Sequence, residues 1–220
     1  MGTDLNKKLI IFDFETDGLN TDTCNAVQLA AIAIDLKKIQ LVKNSEFEIK
    51  IRPNEIDHED YFEAHENTIN WHANLHNKEP HEIVDIWKDT HIPEKDAFNT
   101  FDEYVKRFNP GKQWMKLPIL GGQNVREFDI PILKRKLAKF GITYRFSKRD
   151  IIDLKEFLLH WFLYAPNPPK NHKLDTMREY FSLSTENAHD AFKDVQDTAY
   201  LILKFLNLHS HCSKKIEAFK

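Results

Sequence analysis

A chain of 220 residues, 41% hydrophobic and 12% aromatic, has enough material to bury a core and none of the bias of a disordered polymer. Its 31 basic and 34 acidic side chains leave a net charge of −3. That excludes holding a polyanion by bulk positive charge, but not a nucleic-acid enzyme that meets phosphates with metal ions. Apolar stretches such as 29–34 are far below the ~20 residues of a membrane span, and no signal peptide or myristoylation pattern opens the chain. Cys24 and Cys212 lie too far apart in sequence to read as a disulfide framework. The expectation is a cytoplasmic protein with no membrane partner.

In chain order, KKLIIFDF (7–14) reads as a buried strand, and 26–36 and 42–53 as two more. The third alternates, with Phe47, Ile49 and Ile51 on one side and Glu46, Glu48 and Lys50 on the other. Three successive strands predict an antiparallel meander. From about Asn67 the period changes. Residues 94–108 put Phe98, Phe101, Val105 and Phe108 on one helical face. A strand at 117–124 ends in a Gly-rich turn, and 129–141 is a helix with Pro131 near its start and Gly141 past its end. A short strand at 150–154 leads into KEFLLHWF, 166–170 is a surface loop, and helices follow at 172–181 and 189–206. The order predicts an α/β fold: one domain over 1–220, its core at about 7–207 and a short tail at 208–220. The sheet is mixed, an antiparallel meander plus parallel strands, flanked by helices.

Asp13 and Glu15 stand two apart at the end of the first strand, so their side chains share a face. At ~4 Å and an effective dielectric near 20, two such charges repel by ~4 kcal/mol, and a hard divalent cation is the natural remedy. A charged strand end open to water is the plainer alternative for this pair alone. Asp129 falls at the start of a helix, where a carboxylate also caps free N–H groups. Asn124 and Phe128 complete an N-x-x-x-F-D spacing around it, with Phe128 available to anchor the turn. His189 and Asp194 are five apart, about 140° around a helix, so they share a site only if His189 precedes the helix and Asp190 caps it.

Together, Asp13, Glu15, Asp129 and Asp194, with His189 five before the last Asp, resemble the DEDDh exonucleases of the DnaQ-like, RNase T-type group. The resemblance runs from about Leu9 to Leu206, and Asp190 stands where the tyrosine variant of the family carries Tyr. It implies an RNase H-like fold and two Mg²⁺ or Mn²⁺ ions. It also implies 3′→5′ hydrolysis of single-stranded DNA or RNA ends, releasing nucleoside 5′-monophosphates. On this resemblance Asp13, Glu15, Asp129 and Asp194 hold metal, and His189 is the general base. Thr16, Gly18 and Leu19 would contact the terminal nucleotide, with Leu19 a wedge against the last base, and Asn124 is a further substrate contact. His65 would sit where relatives carry V-H-G-I-T, although Ala64-His65-Glu66-Asn67-Thr68-Ile69 lacks that glycine. Phe62 and Trp71 are candidates to stack on a base.

The run Lys134, Arg135, Lys136, Lys139, Arg145, Lys148 and Arg149 is either a phosphate-tracking patch or a solvated helix face. His209, His211 and Cys212 read as a frayed tail before they read as a metal site. The end of the chain soon after the last helix is read as that of a stand-alone trimming or degrading enzyme. Two other readings compete: a haloacid-dehalogenase-type phosphatase, from the D-x-E-T strand end, and a catalytically silent nucleic-acid-binding module. The phosphatase leaves His189 and Asp194 without a role, and the silent module is at odds with five site positions all being present. A homodimer is neither indicated nor excluded by the sequence.

Overall fold

The computed structural model describes residues 7–109, 116–186 and 188–217. β1 (Lys8–Thr16) lies inside a mixed sheet, antiparallel to β2 (Ala26–Asp35) and parallel to β6 (Ile119–Gly122). β2 pairs antiparallel with β4 (Phe47–Arg52), and β6 pairs parallel with β7 (Ile151–Asp153). The two-residue strands β3 (Gln40–Leu41) and β5 (Ile92–Pro93) bridge to β2 and β4, and the path across the sheet is β5-β4-β2-β1-β6-β7. A meander followed by parallel crossovers is the RNase H-like α/β arrangement expected from the sequence.

β1 is covered on both faces, and its period of two decides what each face carries. Ile10, Phe12 and Phe14 pack with residues of α3 (Glu94–Lys106) and α4 (Asp129–Lys139), among them Phe98, Phe101 and Leu133. Leu9 and Ile11 pack with α5 (Leu154–Phe162), α6 (Leu174–Tyr180) and α7 (Ala191–Glu217), through Leu158, Met177, Val195 and Ala199. Asp13 and Glu15 continue this second row, and so end up beside the start of α7. The β6 glycines permit the close neighbours. A Cβ on Gly122 would stand 2.8 Å from the Phe12 carbonyl oxygen, and one on Gly121 2.8 Å from that of Ile152.

Several boundaries differ from expectation. α1 (Tyr61–His76) and α2 (Pro80–Thr90) intervene between β4 and α3, absent from the predicted order, and form a satellite cluster with Val27 through Ile69, Ile83 and Trp87. β4 begins at Phe47 rather than at 42, because the Ser45 hydroxyl occupies the Ala33 N–H and C=O that a longer strand would use. α7 starts after Asp190, whose carboxylate caps it by accepting from the Phe192 and Lys193 N–H groups, as expected. It then runs to Glu217, through most of the stretch expected as a tail, and 218–220 lie outside the described residues. Among the described residues, no helix is long and apolar enough to cross a membrane.

Candidate active site

Three elements bring the acids together. The end of β1 supplies Asp13 and Glu15, and the first turn of α7 supplies Asp194. One carboxylate oxygen from each lies within 4.8 Å of the others. Asp129, the first residue of α4 and 2% exposed, approaches the same strand, its Oδ1 accepting a 3.0 Å hydrogen bond from the Phe14 N–H. Among the described residues, no hydrogen bond or ion pair reaches the Asp13 or Glu15 carboxylate.

Electrostatics follow from this crowding. Burial, then the charges of Asp129, Glu15 and Asp194, raise the Asp13 pKa well above the ordinary carboxylate value. Glu15 is pushed up to about 9 by burial and by Asp194 and Asp190, and Asp129 to about 8 by burial, against the opposing Phe14 N–H. Burial also raises Asp194, with Arg178 opposing. Without a cation the cluster resists full ionisation. An all-oxygen, unneutralised set of this kind fits hard divalent ions such as Mg²⁺ or Mn²⁺.

Asp194 has a second set of partners. Its Oδ1 accepts from Arg178 Nη2 at 2.5 Å and from the His189 N–H at 3.1 Å. Arg178 is fully buried; its Nε donates to Asp197 Oδ2 at 2.8 Å and its Nη1 to Asp175 Oδ1 at 2.7 Å. Burial works against the guanidinium charge, but Asp197 and Asp194 more than offset it and hold its pKa above the ordinary arginine value. The other oxygen of Asp175 stands 3.3 Å from His189 Nε2. His189 itself has φ +67°, an uncommon left-handed conformation for a side-chain-bearing residue, and its ring meets the edge of Trp71 at 5.4 Å. Sequence reasoning missed Arg178, Asp175 and Asp197. Asp197 had a signal, three residues from Asp194 on one helix; a lone arginine in a charged helix had none.

The expected nucleotide contacts divide. Thr16, Gly18, Leu19 and His65 gather at the β1–β2 turn. The Thr16 hydroxyl donates to the Gly18 carbonyl at 2.7 Å, His65 Nδ1 lies 3.0 Å from the Asp17 carbonyl, and Leu19 is 84% exposed. Buried Asp17 anchors this turn by accepting from the Asn25 N–H, Asn25 Nδ2 and the Tyr61 hydroxyl. Asn25 in turn accepts from Lys136, which pairs with buried Glu94. Asn124 instead shapes a turn at φ +57°, its N–H donating to Asp153 and its side-chain oxygen accepting from Lys155; no described contact ties it to the acids. Phe62 packs against the α1–α2 cluster, and Phe128 anchors its turn in the core.

Part of the basic run is engaged within the fold, while Lys134, Lys148 and Arg149 are exposed. Arg135 is bound to the Thr21 and Cys24 carbonyls, Lys136 is buried on Glu94, Lys139 pairs with Glu94, and Arg145 pairs with Asp102. His209 packs on Phe157 and Trp161, and His211 bonds the Asn207 carbonyl, as ordinary residues of a continuing helix. A cavity of about 390 Å³ lies there, between Phe157, Trp161 and His209, and two more lie beside the acids: one of about 200 Å³ lined by Glu15, His189, Lys50 and Lys78, and one of about 650 Å³ lined by His76, His189 and Asp190.

Comparison with known proteins gives the chain a family and a fold. The RNase T family, described as exonuclease, matches residues 63–202, a span that includes Asp129, His189 and Asp194 and begins after Asp13 and Glu15. The chain is similar to the DNA polymerase III PolC-type of Caldanaerobacter subterraneus subsp. tengcongensis, 26% identical over 205 residues, 92% of this chain and 12% of that protein. It is also similar to the Bacillus subtilis DNA polymerase III PolC-type, 29% identical over 197 residues, 90% of this chain and 11% of that protein. This chain thus spans only a small fraction of these relatives. In fold it is similar to E. coli exonuclease I in complex with a dT13 oligonucleotide, with a TM-score of 0.66 and 16% identity over 90% of this chain and 40% of that one. Exonuclease I from Methylocaldum szegediense gives a TM-score of 0.65 at 16% identity, again over 90% of this chain and 40% of that one. With well over half its length matched and the fold shared, the chain belongs to the RNase T exonuclease family.

Proposed function

We propose that the chain is a divalent-metal-dependent 3′→5′ exonuclease that acts on single-stranded DNA or RNA ends and releases nucleoside 5′-monophosphates. The observation that carries this reading is the convergence of Asp13, Glu15 and Asp194 within 4.8 Å, with Asp129 bonded to the residue between the first two. In this reading Asp13, Glu15, Asp194 and Asp129 would hold two Mg²⁺ or Mn²⁺ ions, which when bound would supply Lewis-acid polarisation of the phosphate and charge stabilisation of the leaving oxygen. His189 removes the proton from the attacking water.

Thr16, Gly18, Leu19 and His65 form the surface offered to the terminal nucleotide, with exposed Leu19 able to press against its base. Trp71, 42% exposed and in contact with His189, is the better placed stacking aromatic. Support for a single-stranded substrate comes from the exonuclease I fold, which in the E. coli protein was seen with dT13. The free state of both Cys24 and Cys212 supports residence in the reducing cytoplasm.

Digestion of 3′- and 5′-labelled DNA and RNA oligomers with Mg²⁺ or Mn²⁺ tests the reading. The 5′-labelled strand is expected to give a descending ladder, and the 3′-labelled strand an immediate mononucleotide. Intact oligomers with both metals would overturn it, and a ladder from the 3′-labelled strand would overturn the polarity.

A further inference from the structure

Arg178 is a costly residue to bury, and its place needs a reason. A lone guanidinium taken out of water loses several kcal/mol of solvation unless its donors are all met. Here each of its three nitrogens meets a carboxylate: Asp194, Asp197 and Asp175. Asp197 is 6% exposed on the inner side of α7, and Asp175, its side chain 48% exposed, also reaches His189 Nε2 at 3.3 Å. The third, Asp194, belongs to the three-acid cluster.

Two donors converge on one oxygen of Asp194. Arg178 Nη2 and the His189 N–H both bond Oδ1, leaving Oδ2 as the oxygen without a described partner. A carboxylate held in this way cannot present both oxygens to a cation. We infer that Arg178 is the positioning residue of the metal site. By fixing Oδ1 of Asp194, it makes Asp194 a one-oxygen ligand through Oδ2. The inference rests on the nuclease reading above, since it assigns Arg178 a task only if the acids bind a metal.

The alternative tasks are distinguishable. The planar fork of arginine can bond Asp194 and Asp197 at fixed angles, whereas a lysine ammonium is a point charge on a flexible stem. If charge alone mattered, Arg178→Lys would behave like the wild type. If Arg178 only stabilised the packing of α6 on α7, its loss would lower the melting temperature and leave metal affinity alone. Positioning predicts a third outcome, because partners that orient metal ligands typically contribute about 10–100-fold to affinity or activity.

The test uses the full chain and Mn²⁺ as the probe, with free Mn²⁺ followed by its electron paramagnetic resonance signal well below the melting temperature. Arg178→Lys is expected to weaken Mn²⁺ binding by about 10–100-fold and to lower kcat by a similar factor with KM for an oligonucleotide little changed. Should Arg178→Lys fail to fold, Arg178→Met with Asp197→Asn removes the buried pair together and is expected to show the same weakened Mn²⁺ binding. Mn²⁺ affinity within twofold of the wild type in a folded variant would overturn the inference while leaving the nuclease reading intact. Failure of the wild type itself to bind Mn²⁺ or shorten an oligonucleotide would overturn the nuclease reading, and the inference with it.

Discussion

The backbone N–H of Phe14 donates to Asp129 Oδ1 at 3.0 Å, so the residue between Asp13 and Glu15 also holds the third acid in place. Asp129→Asn and Asp129→Ala should therefore part company. Asparagine keeps the acceptor and removes a buried like charge, so the metal-free protein should melt higher than the wild type at pH 8. Alanine leaves the Phe14 N–H buried and unbonded, a cost of about 1–3 kcal/mol that cancels that gain. Both should lower oligonucleotide hydrolysis by on the order of 10²–10³-fold or more. Equal melting temperatures for the two variants would contradict the bond's role.

His189→Ala should separate chemistry from metal uptake. The Asp194 Oδ1 partner at this position is the backbone N–H, which alanine retains. Mn²⁺ affinity is expected to stay within a few-fold of the wild type, while turnover falls by about 10²–10⁴-fold. Asp13→Asn, by contrast, should abolish both. Wild-type turnover in His189→Ala would remove the general-base assignment.

The pH dependence of stability should differ with and without metal. Glu15 and Asp129 are pushed up to about 9 and about 8 in the folded chain, against roughly 4 when unfolded. A raised carboxylate contributes its full stabilisation below the unfolded pKa and loses it as pH climbs through the folded value. In EDTA, these two groups predict a melting temperature that falls as the pH rises from 5 to 9. Divalent ions bind the ionised acids, so the shift they produce should grow over the same range. A flat profile in EDTA, read by scanning calorimetry, would count against the crowded-acid description.

The Lys136–Glu94 pair lies wholly inside the protein and leads through Asn25 to Asp17 under the β1–β2 turn. Lys136→Met strands the Glu94 charge, and should cost about 3–5 kcal/mol in denaturant unfolding. Adding Glu94→Gln should recover a large part of that loss. If the single variant unfolds like the wild type, the pair carries no such weight.

Much of the site was legible because its chemistry is written in fixed local positions. Asp13 and Glu15 two apart on a strand, and Asp194 five after His189 with Asp190 as cap, need only the periods of strand and helix to be read. α1 was not legible because its buried positions are Tyr61, Ile69, His72 and Ala73, too few and too polar to draw an apolar stripe. α2 was missed as well, although Pro80 at its first turn and the Glu79–Glu82 capping box are signals that local sequence does carry. The sequence left the basic run open because charge in a sequence carries no address: Lys136 is fully buried, and Arg135 is spent on two backbone carbonyls. Arg178 and its three acids belong to two helices and a tertiary contact, which no single-segment pattern encodes.

The long α7 gives the molecule a built-in attachment point. Cys212 is exposed and lies roughly 27 Å along that helix from Asp194, at 1.5 Å per residue, whereas the Cys24 thiol is buried and pushed up to about 11. A maleimide dye or surface tether should therefore attach at Cys212 alone, far enough from the acids to leave strand shortening free to be watched one molecule at a time.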